Sequence, residues 1–87
     1  MVEARFAIMP RYFFHIFNDV DAIDQDGMEL TDLASAKRQA IRGGRSMMAD
    51  HLIAGRPIKL FHRIEIADEG GKTLAVIPFR ELITIEE

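Results

Sequence analysis

Along the chain, apolar residues change their spacing three times, and each change marks an element. Arg11 to Phe17, "RYFFHIF", is aromatic and β-branched on both alternating sets, which predicts a strand with two covered faces. Tyr12, Phe14 and Ile16 form one set; Phe13, His15 and Phe17 form the other. Asn18-Asp19 opens a polar turn, and a short second strand is expected at Ile23 or at Met28 to Leu30. The spacing then becomes helical. Thr31 or Asp32 can cap a helix running to about Ala54, where Gly55 and Pro57 stop it. Leu33, Ala36, Ala40, Gly44, Met47 and His51 share its apolar face, widened by Ile41, Met48 and Leu52. Arg38, Arg42 and Arg45 lie together on the opposite side. Alternation returns at Phe61 to Ala67 and Lys72 to Pro78, two strands around the turn-forming "DEGG". Ile64 and Ile66 are paired with Leu74 and Val76 in this reading, and "FRELITIEE" closes the chain as a helical turn or tail.

The order is β-β-α-β-β, an α+β fold. It is a three- to four-stranded antiparallel sheet with one long amphipathic helix packed on one face. Small residues in the middle of the helix face, Ala36, Ala40, Gly43 and Gly44, would let it approach large side chains from "YFFHIF". Two glycines inside a helix cost about 1 kcal/mol each relative to alanine, so close packing should compensate. The sheet's other face is then unaccounted for. Phe13, His15, Phe17 and Ile77 are expected there, with Ala75, Phe61 and Phe79 as possible neighbours. Such a patch seldom stays bare in a soluble monomer, which points to a homodimer through the helix-free face.

Composition adds bounds rather than identity. Eighty-seven residues make one domain, and a chain of that size buries too little surface for a large stability margin. No cysteine is present, so disulfides and thiolate metal sites are excluded. No apolar run is long enough to span a bilayer, and the start lacks a secretory pattern, so cytoplasmic location is the expectation. Residues 1–8 precede a second methionine, Met9, and read as an optional N-terminal extension ahead of a single domain at 9–87. The net charge of −3 conceals a segregation. Residues 18–32 hold six acidic side chains and no basic one, whereas residues 37–63 hold seven basic side chains against Asp50 alone.

At this point the chain becomes recognisable. Met9-Pro10-Arg11-Tyr12-Phe13-Phe14-His15 is one such stretch, and Asp26-Gly27-Met28-Glu29-Leu30-Thr31-Asp32-Leu33 before Ala36 and Ala40 is another. With Ile66-Ala67-Asp68-Glu69-Gly70-Gly71 and Ile77-Pro78-Phe79-Arg80, the chain resembles a family of small bacterial proteins known as domain of unknown function 6894. The likeness runs from Met9 to about Leu82. Lys37 stands where a helix arginine is common, and residues 1–8 lie outside the pattern. The resemblance implies no particular activity.

The residues themselves offer little chemistry. His15, His51 and His62 have no metal-ligand spacing. "DVDAIDQDG" superficially matches a calcium loop, but with Gly27 as its glycine the first and twelfth positions are Ala22 and Leu33. The arginine stripe and the sheet aromatics suggest nucleic acid, yet they fall on opposite sides of the domain and the net charge is negative. There is no nucleophile elbow or phosphate loop, so neither an enzyme nor a cofactor is expected. The reading is a protein-interaction or structural module. Phe13, His15, Phe17 and Ile77 form the self-contact; Arg38, Arg42 and Arg45 form a second, charge-driven contact. The alternative is a nucleic-acid-binding or antitoxin-like regulatory protein that uses the arginine stripe, the antitoxin comparison resting on fold alone.

Overall fold

The computed structural model describes residues 9–87; the optional extension at 1–8 lies outside the described residues. Strands β1 (Arg11–Phe17) and β2 (Met28–Glu29) precede helix α1 (Leu33–Ile53), and β3 (Arg63–Ala67) and β4 (Thr73–Pro78) follow it. They form one antiparallel sheet in the order β2-β1-β3-β4. A short 3₁₀ turn, Phe79–Glu81, follows β4. This is the α+β architecture that the alternating and helical spacings imply.

Helix α1 begins where a free backbone donor meets a carboxylate: Ser35 N–H donates to Asp32 at 2.8 Å. It ends at Ala54, and Gly55 takes the left-handed conformation (φ 71°) that closes the last turn. Its buried ridge is Ala36, Ala40, Gly44 and Met48, one residue per turn. The ridge lies on Ile64, Ile66, Ile77, Tyr12, Phe79 and Leu82. A Cβ on Gly44 would stand 2.5 Å from Leu82 Cδ1 and 3.0 Å from Ile64 Cδ1, so glycine sets how closely the helix approaches the sheet. Gly43 is different: a Cβ there would meet nothing within 4 Å. Leu52, assigned to the apolar face by periodicity, is 71% exposed, although Met48 one turn earlier is buried.

The pairing of β4 differs from the expected one. Ile64 stands opposite Ile77 and Ile66 opposite Ala75, while Val76 faces Glu65. Ile77 therefore points at the helix and is 8% exposed. It does not belong to the helix-free face. A bulge explains the shift: Ala67 pairs with Thr73 and Ile66 with Ala75, which leaves Leu74 as an extra residue. Counting alternation back from the turn without that residue puts every later side chain on the wrong face. Phe79 is likewise buried, because the chain turns under the helix after Pro78. That turn, one of the two forms expected for the segment, also delivers Leu82, at 2% exposure among the most buried side chains.

Residues 18–27 run along the outer edge of β1. Ile16 and Ala22 exchange both backbone hydrogen bonds at 2.8 Å. Two positions further along, the carboxylate of Asp24 replaces a strand partner. It accepts from Phe14 N–H at 3.1 Å, Asp26 N–H at 3.0 Å and Gly27 N–H at 3.1 Å. Partial burial would raise its pKa, but these three donors and the neighbouring His15 outweigh that and hold it below the ordinary carboxylate value. The acidic loop is thus a structural clamp built around one carboxylate. Gly27 (φ 70°) makes the turn possible, since a Cβ there would press on Arg11, Phe13 and the Tyr12 carbonyl.

Candidate interaction surface

The helix-free face follows from strand alternation and register. Its three rows are Phe13–Ala67–Thr73, His15–Glu65–Val76 and Phe17–Arg63–Pro78. Phe13, His15 and Phe17 are brought together on β1 and are half-buried. Ile77 is absent from this face, and Val76, 50% exposed, occupies the β4 position beside Glu65. Phe61, 68% exposed, lines a hollow with Phe17 at one end of the face.

The face is amphipathic rather than uniformly apolar. Arg63 Nε donates to Glu65 Oε2 at 2.7 Å, and its guanidinium lies over the Phe17 ring at 4.4 Å. Glu65 is well covered by its neighbours, so this ion pair sits near the centre of the face and not at its rim. His15 packs edge-on against Phe17 with ring centroids 6.5 Å apart. Its Nδ1 accepts from Asp24 N–H at 3.1 Å, which places the proton of the neutral ring on Nε2. The sequence shows the aromatic column. It does not show the ion pair that divides the column from the aliphatic β4 row, because that depends on β3 lying between β1 and β4.

The arginine stripe separates into different roles. Arg45 Nε donates to the Leu82 carbonyl at 2.8 Å and fastens the C-terminal segment to the helix. Arg38 bonds to Ser35 Oγ at 3.0 Å. Arg38, Arg42 and Arg45 flank a shallow hollow beside Ile41, on the helix side of the domain and away from the sheet aromatics.

Other polar groups make local contacts. Asp19 accepts from Lys59 Nζ at 2.8 Å and lies 3.5 Å from His62 Nε2. The Lys59 hydrogen bond leads the effects that lower the Asp19 pKa. His62 is buried, edge-on to both Phe61 and Phe79. His51 Nδ1 lies 3.2 Å from the Pro57 carbonyl, which is the satisfied histidine that its place on the helix suggests. His51 and His62 do line one surface hollow with Asn18 and Asp19, a proximity their spacing does not reveal. Among the described residues, no group of three or more His, Asp and Glu side chains is arranged to hold a metal ion. No helix among them is long and apolar enough to cross a membrane. An apolar groove of about 200 Å³ opens between β1 and α1, over Phe14, Met28, Gly43 and Met47.

Comparison with known proteins bears out the family resemblance. No curated protein and no solved structure matches the chain. The family described as "Domain of unknown function (DUF6894)" matches residues 11–80, from the first residue of β1 into the 3₁₀ turn after β4. That span contains the whole sheet and the helix, and the chain belongs to the DUF6894 family.

Proposed function

We propose that this chain is a non-catalytic protein-interaction module that associates with a second copy through its helix-free sheet face. The observation that supports this most is the column of Phe13, His15 and Phe17 on β1, together with the exposed Val76 on β4, on the side of the sheet that α1 does not cover. Aromatic side chains and arginine dominate the energetics of protein contacts, and this face offers both, with Arg63 held over Phe17. A domain of this size also gains more from added buried area than a larger one does.

The test is molar mass by light scattering behind a sizing column, across a range of concentrations. The wild-type chain is expected to be an assembly, and Phe13→Asp to be smaller, because a carboxylate would have to lose its water on entering the contact. A folded Phe13→Asp chain with the wild-type mass refutes this surface. Arg42→Glu separates the nucleic-acid alternative, which requires binding that weakens steeply with salt and with loss of that charge.

A further inference from the structure

β4 is the outer strand of the sheet, and among the described residues no strand pairs with its free edge. The direction of its backbone groups is fixed by the bonds across the sheet. Ile16 exchanges both bonds with Ala22, so Tyr12, Phe14 and Ile16 aim their backbone groups away from β3. Phe13, His15 and Phe17 therefore bond to Ala67, Glu65 and Arg63, which leaves Ile64 and Ile66 to bond to Ile77 and Ala75. The N–H and C=O of Val76 consequently point outward. The strand carries no charged side chain from Thr73 to Pro78, although charge is a common means of keeping an edge from pairing.

Beside that edge runs a groove whose apolar floor includes Ile41, Leu74 and Val76, with Lys37 and Glu81 also lining it. The two charges lie at opposite ends. Glu81 follows Pro78 at the top of β4; Lys37 lies two turns of α1 below Arg45, which is itself bonded to Leu82. Two turns of helix are about 11 Å. A two-fold axis perpendicular to the sheet and passing by Val76 would set Lys37 of one copy against Glu81 of the other, twice. It would also set Val76 against Val76 and Ile41 near Ile41. A contact of this kind uses the same patch on both copies and must be self-complementary. Pro78, which has no N–H, and the bulge at Leu74 would bracket the pairing and fix its register.

We propose that the β4 edge pairs antiparallel with the β4 edge of a second copy, joining two sheets into one, with Lys37 and Glu81 exchanging partners across the axis. The inference shares with the preceding proposal the identity of the partner and the residue Val76, whose side chain belongs to the face and whose outward backbone groups belong to the edge; the Phe13→Asp background removes the face contact, so the two fail separately. In the Phe13→Asp background the edge contact is expected to persist, giving a folded dimer, and Val76→Pro added to it should give a monomer. Proline at 76 removes only the outward N–H and leaves the bonds to β3 intact.

The charge exchange is tested with Lys37→Glu and Glu81→Lys, both at exposed positions. Each alone places like charges together and should weaken the dimer about tenfold at low salt. An equimolar mixture should recover the wild-type dissociation constant, because the mixed dimer has only opposite-charge contacts. A folded Phe13→Asp chain that is monomeric overturns the edge contact. If Phe13→Asp does not fold, the two charge variants in the wild-type background decide the matter: unchanged assembly, or no recovery on mixing, overturns the proposal.

Discussion

Replacing Gly43 and Gly44 by alanine, one at a time, should give opposite results although the residues are adjacent. Both sit inside α1, and both exchanges gain the same local term, about 0.8–1 kcal/mol of helix propensity. The difference between the two variants therefore isolates packing. At Gly43 the new methyl meets nothing within 4 Å, so the propensity gain should appear almost in full. At Gly44 the methyl would stand 2.5 Å from Leu82 Cδ1 and 3.0 Å from Ile64 Cδ1, and both side chains are in the core. Overpacking of this kind costs typically about 1–3 kcal/mol. Gly43→Ala should thus be more stable than wild type by about 0.8–1 kcal/mol, and Gly44→Ala less stable than Gly43→Ala by about 1–3 kcal/mol. In a domain of this length 1 kcal/mol moves Tm by roughly 4–8 °C. The assay is urea and thermal denaturation followed by circular dichroism, at matched protein concentration, since association would shift both midpoints. Equal stability of the two variants would refute the claim that Gly44 sets the helix–sheet distance.

Two further outcomes follow from the geometry. Asp24 has a folded pKa below its unfolded value, so its contribution is present above the unfolded carboxylate range and is lost as pH falls through the folded pKa. Wild-type Tm should drop on acidification below about pH 4, and Asp24→Asn should show a flatter profile over that interval together with a lower Tm at neutral pH; parallel profiles for the two chains would exclude Asp24 as the clamp. Leu82→Ala removes one of the most buried side chains and should cost about 2–5 kcal/mol, read by urea denaturation, whereas a loss under about 0.5 kcal/mol would mean that the segment after Phe79 is not part of the core.

The strands, the helix and its ends are legible in the sequence because each depends on neighbours a few positions away. The Asp32 cap, the Gly55 stop and the alternation of "RYFFHIF" are local signals, and the structure contains all of them. The small ridge of α1 is also legible, but its closest neighbours are not those expected from "YFFHIF": a Cβ on Gly44 would meet Ile64 of β3 and Leu82, and one on Gly43 would meet nothing within 4 Å. What escaped local reasoning shares one cause. The bulge at Leu74 changes parity, and with it the placement of Ile77 and Val76, through a pairing that requires β3. The helical turn at Phe79–Glu81 is one of the two readings open to the sequence, but the burial of Phe79 and Leu82 is not legible there because their apolar neighbours come from α1 and β3, distant in sequence.

The candidate surface divides in the same way. Phe13, His15 and Phe17 share a face because strand periodicity is two, and that much belongs to the sequence. Only the folded chain sets Arg63 on Phe17, partly covers Glu65 beside it, turns Ile77 inward and assigns Arg45 to the Leu82 carbonyl. Backbone preference and periodicity act over a few residues and determine elements and their faces. Strand order, register and the meeting of distant side chains are decided by packing over the whole domain, and the surface left for a partner is what remains after that packing is complete.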